Sequence, residues 1–308
     1  MTNSLMRLAP SGPTLLIVGV LAGLAVPPLA EAVRPAMAVS IFVIVLGTLL
    51  RVNATDFMRT LQQPRFSALL PAVVMLVCPV LVGIAAHLTG VGPELALAMV
   101  LAVCAPPSGG TAAVARMLGL DATIPLAVTL LSMALAPLSV PLLASWFAGI
   151  AFDPVELALR LFVLTAGAGG VALILRQRAA GALKRHVDAI DGLVLAALLI
   201  FAISTMAGVR AQIEAEPLVA FACIALAFAC NLALQGLGAA LLPGTLAERL
   251  GIGLILGNRN VGLVWSALGA STSPTMALFF AATQFPIYMT PRLIAFLIRW
   301  ATPEKATS

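Results

Sequence analysis

The feature that most constrains this chain is a series of apolar runs, each close to the length of about 20 residues that a helix needs to cross a bilayer. Hydrophobic residues make up 61% of the sequence and charged residues only 9%, against about 25% charged residues in a soluble domain. We therefore predict an all-α, polytopic membrane protein. Ten runs can be distinguished, at residues 14–30, 33–50, 66–88, 95–118, 123–148, 154–175, 188–209, 217–242, 248–270 and 274–299.

The distribution of basic residues predicts how these spans are oriented. With the amino terminus in the cytoplasm, twelve of the 17 Lys and Arg residues fall on cytoplasmic segments and three on outer ends, while Arg259 and Arg292 lie inside spans. This bias follows the positive-inside rule. We expect a multi-pass protein of the cell (inner) membrane, surrounded by a lipid bilayer, with both termini cytoplasmic. The net charge of +5 reflects these loops and does not indicate nucleic-acid binding.

Two of the ten spans are interrupted by residues that do not continue a membrane helix. In the fourth span, residues 104–111 read Cys-Ala-Pro-Pro-Ser-Gly-Gly-Thr. Proline lacks an N–H and clashes with the preceding turn, and glycine lets the backbone turn and restart. In the ninth span, residues 256–263 read Leu-Gly-Asn-Arg-Asn-Val-Gly-Leu. Paired broken helices at corresponding positions indicate the binding site of a transporter.

The positions of the breaks also predict an internal repeat. Ten spans divide into two sets of five, at 14–148 and 154–299, and an odd number per set gives the sets opposite orientations. The break falls in the fourth span of each set, which is the pattern of an inverted-topology repeat. Short loops leave no room for a soluble domain, so we interpret residues 1–308 as one transmembrane transporter domain.

Polar groups at the breaks are the candidate substrate-binding residues. Half-helices that begin near Gly110–Thr111 and Asn260–Val261 would direct the positive ends of their dipoles into the membrane, where an anion could bind. Every Asp and Glu maps to a loop or a span end, so an external anion, helix carbonyls, or both must serve as the partner of Arg259. The candidate set is Gly109, Gly110, Thr111, Ala112, Asn231, Asn258, Arg259, Asn260 and Gln284.

Some residues leave alternatives open. Arg259 could only tie the half-helix ends together through their carbonyls. Cys104, just before the first break, could bind a soft metal or arsenite as a thiolate, although a free buried cysteine is usually a packing residue. The sequence has no zinc-ligand spacing and no cluster of acid, base or nucleophile at membrane depth, so we expect neither a metal site nor an enzyme.

The two interruptions together resemble the bile acid:sodium symporter family. Residues 104–112 are similar to its proline-glycine-glycine-threonine-alanine crossover, and Asn-Val-Gly-Leu at 260–263 to its ninth-helix asparagine-x-glycine-leucine pattern. Asp121 and Leu-Ala-Pro at 135–137 also match family positions. The resemblance implies ten transmembrane helices, with discontinuous helices 4 and 9 that cross. It further implies a panel of helices 1, 2, 6 and 7 and a core of helices 3–5 and 8–10.

The chain departs from the family pattern where sodium would bind. Members that use sodium carry an acidic residue about five positions before the ninth-helix asparagine and usually a glutamine directly before it; here these positions are Ile255 and Arg259. A Ser-Asn pair expected after the first crossover is absent, since Ala112 and Ala113 stand there, and the third span has no Gln. The oxygen ligands of a sodium ion are largely missing. We hypothesise that the Arg259 guanidinium replaces the ion as a fixed positive charge.

The sequence therefore predicts a secondary transporter that moves a small or amphipathic organic anion by alternating access, without sodium as a cofactor. A sodium-coupled organic anion or bile acid symporter and an arsenite or oxyanion exporter remain alternatives. A sensor that binds a ligand and moves nothing is a further class, which a flux assay would separate.

Overall fold

A computed structural model describes residues 12–148 and 153–301, and this part of the chain is helical without a strand. The predicted cytoplasmic termini lie outside the described residues. Six helical segments are long and apolar enough to cross a membrane, as expected of an all-α membrane protein. The helices are α1 (Gly12–Ala25), α2 (Pro27–Leu50), α3 (Ala54–Leu61), α4 (Arg65–Leu88), α5 (Pro93–Cys104), α6 (Thr111–Met117), α7 (Thr123–Ala148), α8 (Pro154–Arg178), α9 (Ala180–Arg185), α10 (Val187–Ser204), α11 (Val209–Ala215), α12 (Pro217–Leu241), α13 (Leu246–Gly257), α14 (Val261–Leu268), α15 (Pro274–Ala282) and α16 (Gln284–Ala301).

The first predicted span, 14–30, is too long, because α1 ends at Ala25. Val26 has φ −124° and ψ 77°, outside the α region, and a residue that precedes proline is disfavoured in that region. Pro27 and Pro28 then occupy the first turn of α2, where a missing N–H leaves no intrahelical bond unmade. The two prolines begin the second helix instead of ending the first.

Helices α1, α2, α8 and α10 are joined by contacts of α2 and α10 and form a group that we call the panel. Helices α1 and α2 pack against α10, and α2 also packs against α8. Small residues make these contacts close. A Cβ on Gly47 would lie 2.3 Å from Cγ2 of Val194, and a Cβ on Gly19 would lie 2.8 Å from Cβ of Ala202.

The remaining membrane-depth helices surround the two breaks and form the core. Helices α4, α5 and α7 pack on one another, α12 packs along α13, and α15 and α16 pack on α12. The α12–α13 contact is also close, since a Cβ on Gly253 would lie 2.7 Å from the carbonyl oxygen of Gln235. The core thereby places both breaks next to the panel.

Helix α4 contains two π-helical stretches, and the second spans Val73–Val77. Here the N–H of Cys78 donates to the carbonyl of Val73, five residues earlier. In this register, the donor for the carbonyl of Val74 would be residue 79. That residue is Pro79, which has no N–H. The carbonyl of Val74 is therefore left for another donor.

Two local features are absent from the sequence prediction. The short helix α3 follows Asn53, whose side chain accepts a hydrogen bond from the N–H of Thr55 (3.0 Å) and caps the helix. The tenth predicted span is divided at Thr283, between α15 and α16. The hydroxyl of Thr283 donates back to the carbonyl of Phe280 at 2.6 Å, which satisfies one of the carbonyls at the end of α15.

Candidate functional site

Both predicted breaks interrupt their helices. Helix α5 ends at Cys104 and α6 begins at Thr111, while α13 ends at Gly257 and α14 begins at Val261. A membrane helix that stops and restarts leaves backbone N–H and C=O groups unpaired, and these must be satisfied by protein or by a wet cavity. The hydrogen bonds made by these backbone groups determine the geometry of the site.

Each break supplies hydrogen-bond partners to the other. The N–H of Ser108 donates to the carbonyl of Asn258 at 2.8 Å, and the N–H of Asn260 donates to the carbonyl of Pro106 at 2.7 Å. These two bonds form an isolated antiparallel bridge between segments that are far apart in sequence. Because buried backbone groups are costly when unpaired, the bridge stabilises both breaks at once.

The guanidinium of Arg259 ties three helical segments together. Arg259 is 4% exposed. Its Nε donates to the carbonyl of Leu256 (2.8 Å), and its Nη1 donates to the carbonyls of Val74 (2.9 Å) and Ala105 (3.3 Å). Leu256 and Ala105 lie at the carboxyl ends of α13 and α5, where helix dipoles are negative. Carbonyl dipoles thus surround this buried charge in the place of a carboxylate.

The other terminal nitrogen of Arg259, Nη2, is buried without a hydrogen-bond partner. The buried thiols of Cys78 and Cys104 lie near the guanidinium. A small cavity of about 30 Å³ adjoins it, lined also by Asn231 and Thr283. The lining of this small cavity is mainly apolar, so it offers few of the polar partners that a buried water needs.

Asn231 belongs to a buried amide network behind the second break. Its Nδ2 donates to the carbonyl of Gly257 at 2.8 Å, and its Oδ1 accepts from Nε2 of Gln235 at 2.6 Å. The same Gln235 nitrogen lies 2.9 Å from the hydroxyl oxygen of Thr290. Asn231 therefore holds the end of α13 and lines the small cavity, so its position fits support of the break better than direct contact with a substrate.

A larger cavity of about 200 Å³ lies between the panel and the breaks. Of the nine residues predicted from sequence, two do not line it: Ala112 is buried in α6, and Asn231 lies in the network just described. Seven predicted residues line this large cavity, namely Gly109, Gly110, Thr111, Asn258, Arg259, Asn260 and Gln284.

Polar side chains of the large cavity differ in how far they are already bonded. The hydroxyl of Thr111 is buried without a partner, and the side chain of Asn260 makes no capping hydrogen bond although it sits at the N-cap of α14. Oε1 of Gln284, by contrast, accepts from the hydroxyl of Tyr288 at 2.7 Å. Helix α6 has only seven residues, so the polar character of this end of the cavity comes from side-chain groups more than from a helix dipole.

The panel supplies the opposite, apolar wall of the large cavity. Its residues come from α1, α2 and α10 and follow helical spacing, so each helix presents one face. They are Leu16, Ile41, Ile44, Val194, Leu198 and Phe201. A pocket with an apolar wall and a few convergent polar groups is the usual form of a small-molecule site.

Sequence reasoning missed two contributors to this arrangement. Val74 contributes a backbone carbonyl, and the available signal was Pro79, which removes the N–H that this carbonyl would use in the π-helical register. Arg51, counted above only as a loop charge, lines the large cavity at the end of α2. No sequence pattern near Arg51 indicates that position.

Comparison of the chain with models of known protein families gives no match, and comparison with characterised proteins gives none either. The functional argument therefore rests on the residues of the site.

Proposed function

We propose that this protein is a secondary transporter, similar in type to the bile acid:sodium symporters, that moves a small or amphipathic organic anion by alternating access. In this proposal ten transmembrane helices form two inverted sets of five, and the panel moves relative to the core. The observation that carries the proposal is the large cavity, in which an apolar panel wall faces polar groups from both helix breaks. Binding at paired broken helices is the arrangement that such transporters use.

The surroundings of Arg259 support transport without sodium. Carbonyl oxygens from Val74, Ala105 and Leu256 converge on its guanidinium, and oxygen atoms of this kind are also the ligands of hard metal cations. Arginine stays charged under physiological conditions. Arg259 thus supplies within the chain the positive charge that a bound ion would bring, and it lines the cavity in which the anion binds.

This proposal accounts for both roles that the sequence leaves open for Arg259. The hydrogen bonds to carbonyls fix the half-helix ends, and the charge that they fix lies beside the substrate cavity. Burying a charge in a membrane protein costs free energy. A neutral amide could join the half-helix ends at a lower cost in free energy, if joining them were its only role. We infer that the charge itself is needed, as an attraction for the anion.

The test is uptake of labelled organic anions into proteoliposomes, with and without a sodium gradient. We expect wild-type uptake to be indifferent to sodium and to fall at least tenfold in Arg259→Gln, since the attraction between opposite charges is lost. Arg210→Gln is the matched control, because Arg210 is half exposed and pairs with Glu214. Uptake driven by a sodium gradient would support the sodium symporter instead, and no uptake of any anion by folded wild-type protein would overturn the proposal.

The same vesicles separate the arsenite alternative. An exporter that uses a thiolate would lose arsenite flux in Cys104→Ser, whereas organic anion uptake should be unchanged, because Cys104 is fully buried in the core.

A further inference from the structure

Two cationic side chains line the large cavity within the described part of the chain, and they differ in how they are engaged. Arg259 is 4% exposed and is held by backbone carbonyls. The side chain of Arg51 is 43% exposed, at the C-cap position of α2. A ligand can reach Arg51 without disturbing the bridge between the breaks.

Arg51 forms an ion pair with Asp191 on α10, in which its Nη2 donates to Oδ1 of the carboxylate. The carboxylate side chain is 53% exposed. Exposed pairs of this kind contribute only about 0–1 kcal/mol, because water competes for both groups. Another carboxylate can therefore take the place of Asp191 at little cost.

Arg51 is not needed to cap its own helix. Arg176, from α8, donates to the carbonyl of Val52 at 2.6 Å and to that of Leu49 at 3.4 Å. Carbonyls at and just after the end of α2 thus have a cationic partner from a neighbouring helix, which leaves the Arg51 guanidinium for Asp191 or for a ligand.

The cavity continues from Arg51 along one face of α2. Three further cavity residues of α2 precede Arg51 at spacings of three and four residues, namely Thr48, Ile44 and Ile41. At these spacings they lie on the same face of the helix as Arg51. Ten residues of helix cover about 15 Å. The lining therefore passes from a cation at the exposed end to an apolar wall further in.

We propose that Arg51 binds the carboxylate of the substrate by exchanging its ion pair with Asp191 for one with the ligand, and that the substrate is a monocarboxylate with a short apolar body. This inference rests on the proposed transport function and identifies the anion that the same cavity takes. The guanidinium can hold a carboxylate with two parallel hydrogen bonds. The volume of about 200 Å³ lies below the roughly 300–1,000 Å³ of sites for drug-sized ligands, which favours a short apolar body over a steroid.

The decisive variants are Arg51→Gln and Asp191→Asn, because the exchange gives them opposite signs. Binding of labelled hexanoate, supplied as its Tris salt, is measured on the full-length protein in lipid nanodiscs, with unlabelled hexanamide, butanoate and cholate as competitors. We expect Arg51→Gln to weaken hexanoate binding by up to about fivefold, the equivalent of about 1 kcal/mol for an exposed pair, and to leave competition by hexanamide unchanged. Asp191→Asn removes the competing carboxylate and should tighten hexanoate binding by up to about fivefold, the equivalent of about 1 kcal/mol. Arg210→Gln is again the control.

The outcomes distinguish this inference from the transport proposal. Equal weakening by both variants, or no change in either, would mean that the pair only joins α2 to α10, and the inference would be overturned. The same holds if wild-type protein binds cholate more tightly than hexanoate, or binds no carboxylate. Hexanoate binding that depends on Arg51 without any flux would leave the recognition site standing and remove the transporter. If Arg51→Gln transports carboxylates with an unchanged half-saturation concentration, the transport proposal stands and the role of Arg51 in recognition is overturned.

Discussion

The break at residues 105–110 and the break at 258–260 differ in what they can offer to each other. The first contains two prolines and no charge, so it has lost two backbone N–H groups and is rich in acceptors. Its carbonyls at Ala105 and Pro106 accept hydrogen bonds from the second break. The second break has no proline and carries a guanidinium and two amide side chains, so it is rich in donors. The two irregular segments are complementary, and each one would be poorly satisfied alone.

The breaks also have one requirement in common, which is close contact with the panel through a glycine. A Cβ on Gly109 would lie 2.3 Å from Oγ1 of Thr48 on α2, and a Cβ on Gly262, just after the second break, would lie 2.4 Å from Cζ of Phe201 on α10. A larger side chain at either point would hold the panel away from the core. The complementarity of the breaks is thus chemical, whereas their fit against the panel is steric.

The largest effect is expected from removing the donor side of this complementarity. Arg259→Met leaves the carbonyls of Val74, Ala105 and Leu256 without their donor, and a buried acceptor left without a partner costs about 1–3 kcal/mol. We expect a clear fall in the melting temperature of the detergent-solubilised protein and no uptake. Arg259→Lys keeps the charge but loses the planar guanidinium with its several donors. Its melting temperature should therefore lie between those of the wild type and Arg259→Met.

Sodium provides the sharper form of the same experiment. If the guanidinium occupies the place of a cation, high sodium should partly restore uptake to Arg259→Gln, since the three carbonyls that surround the guanidinium remain. Wild-type uptake should not respond to the same salt, and choline chloride is the control for ionic strength. A sodium effect of equal size in both proteins would argue against this role for Arg259.

An intermediate effect is expected from the steric requirement. Gly109→Ala places a methyl group against Thr48, and overpacking of this kind typically costs about 1–3 kcal/mol. Uptake should fall severalfold, and Thr48→Ala should restore part of it in the double variant. Gly92→Ala, at the other end of α5, is the matched control, because its Cβ would meet nothing within 4 Å and the residue does not line the large cavity. Equal losses in both glycine variants would point to backbone flexibility instead of contact with the panel.

The smallest effect is expected from a distant proline. Pro79→Ala supplies an N–H that competes with Arg259 for the carbonyl of Val74, and one such hydrogen bond is worth about 1 kcal/mol. Since about 1 kcal/mol corresponds to about fivefold, we expect uptake to fall by about fivefold or less. The melting temperature should not fall, because the helix regains a backbone hydrogen bond. Pro71→Ala, in the same helix but without a link to Arg259, should leave uptake unchanged.

Local signals in the sequence identify the breaks, because proline and glycine act on the backbone at their own positions. They do not identify the partner of Arg259, which the sequence leaves open between an anion and carbonyls. The carbonyl of Val74 is 185 residues away in sequence, and every residue has such a group. The same limit applies to Arg51, whose position beside the cavity follows from how α2 and α10 pack. Local errors are confined to helix ends and short elements: the predicted first span includes Pro27 and Pro28, which begin α2, and the prediction lacks α3 and the division at Thr283.

The tie made by Arg259 also bears on the order in which the chain is built into the membrane. Its two partners outside its own helix, Val74 and Ala105, belong to the half of the chain that leaves the ribosome first. In the proposed topology the segment that carries Arg259 crosses the membrane, and an arginine near the centre of such a segment adds roughly 2.5–3.5 kcal/mol to the free energy of its insertion. When this segment emerges from the ribosome, the two carbonyls that accept its hydrogen bonds and reduce the penalty have already been synthesised. In that topology, the later half of the protein depends on the earlier half for its insertion.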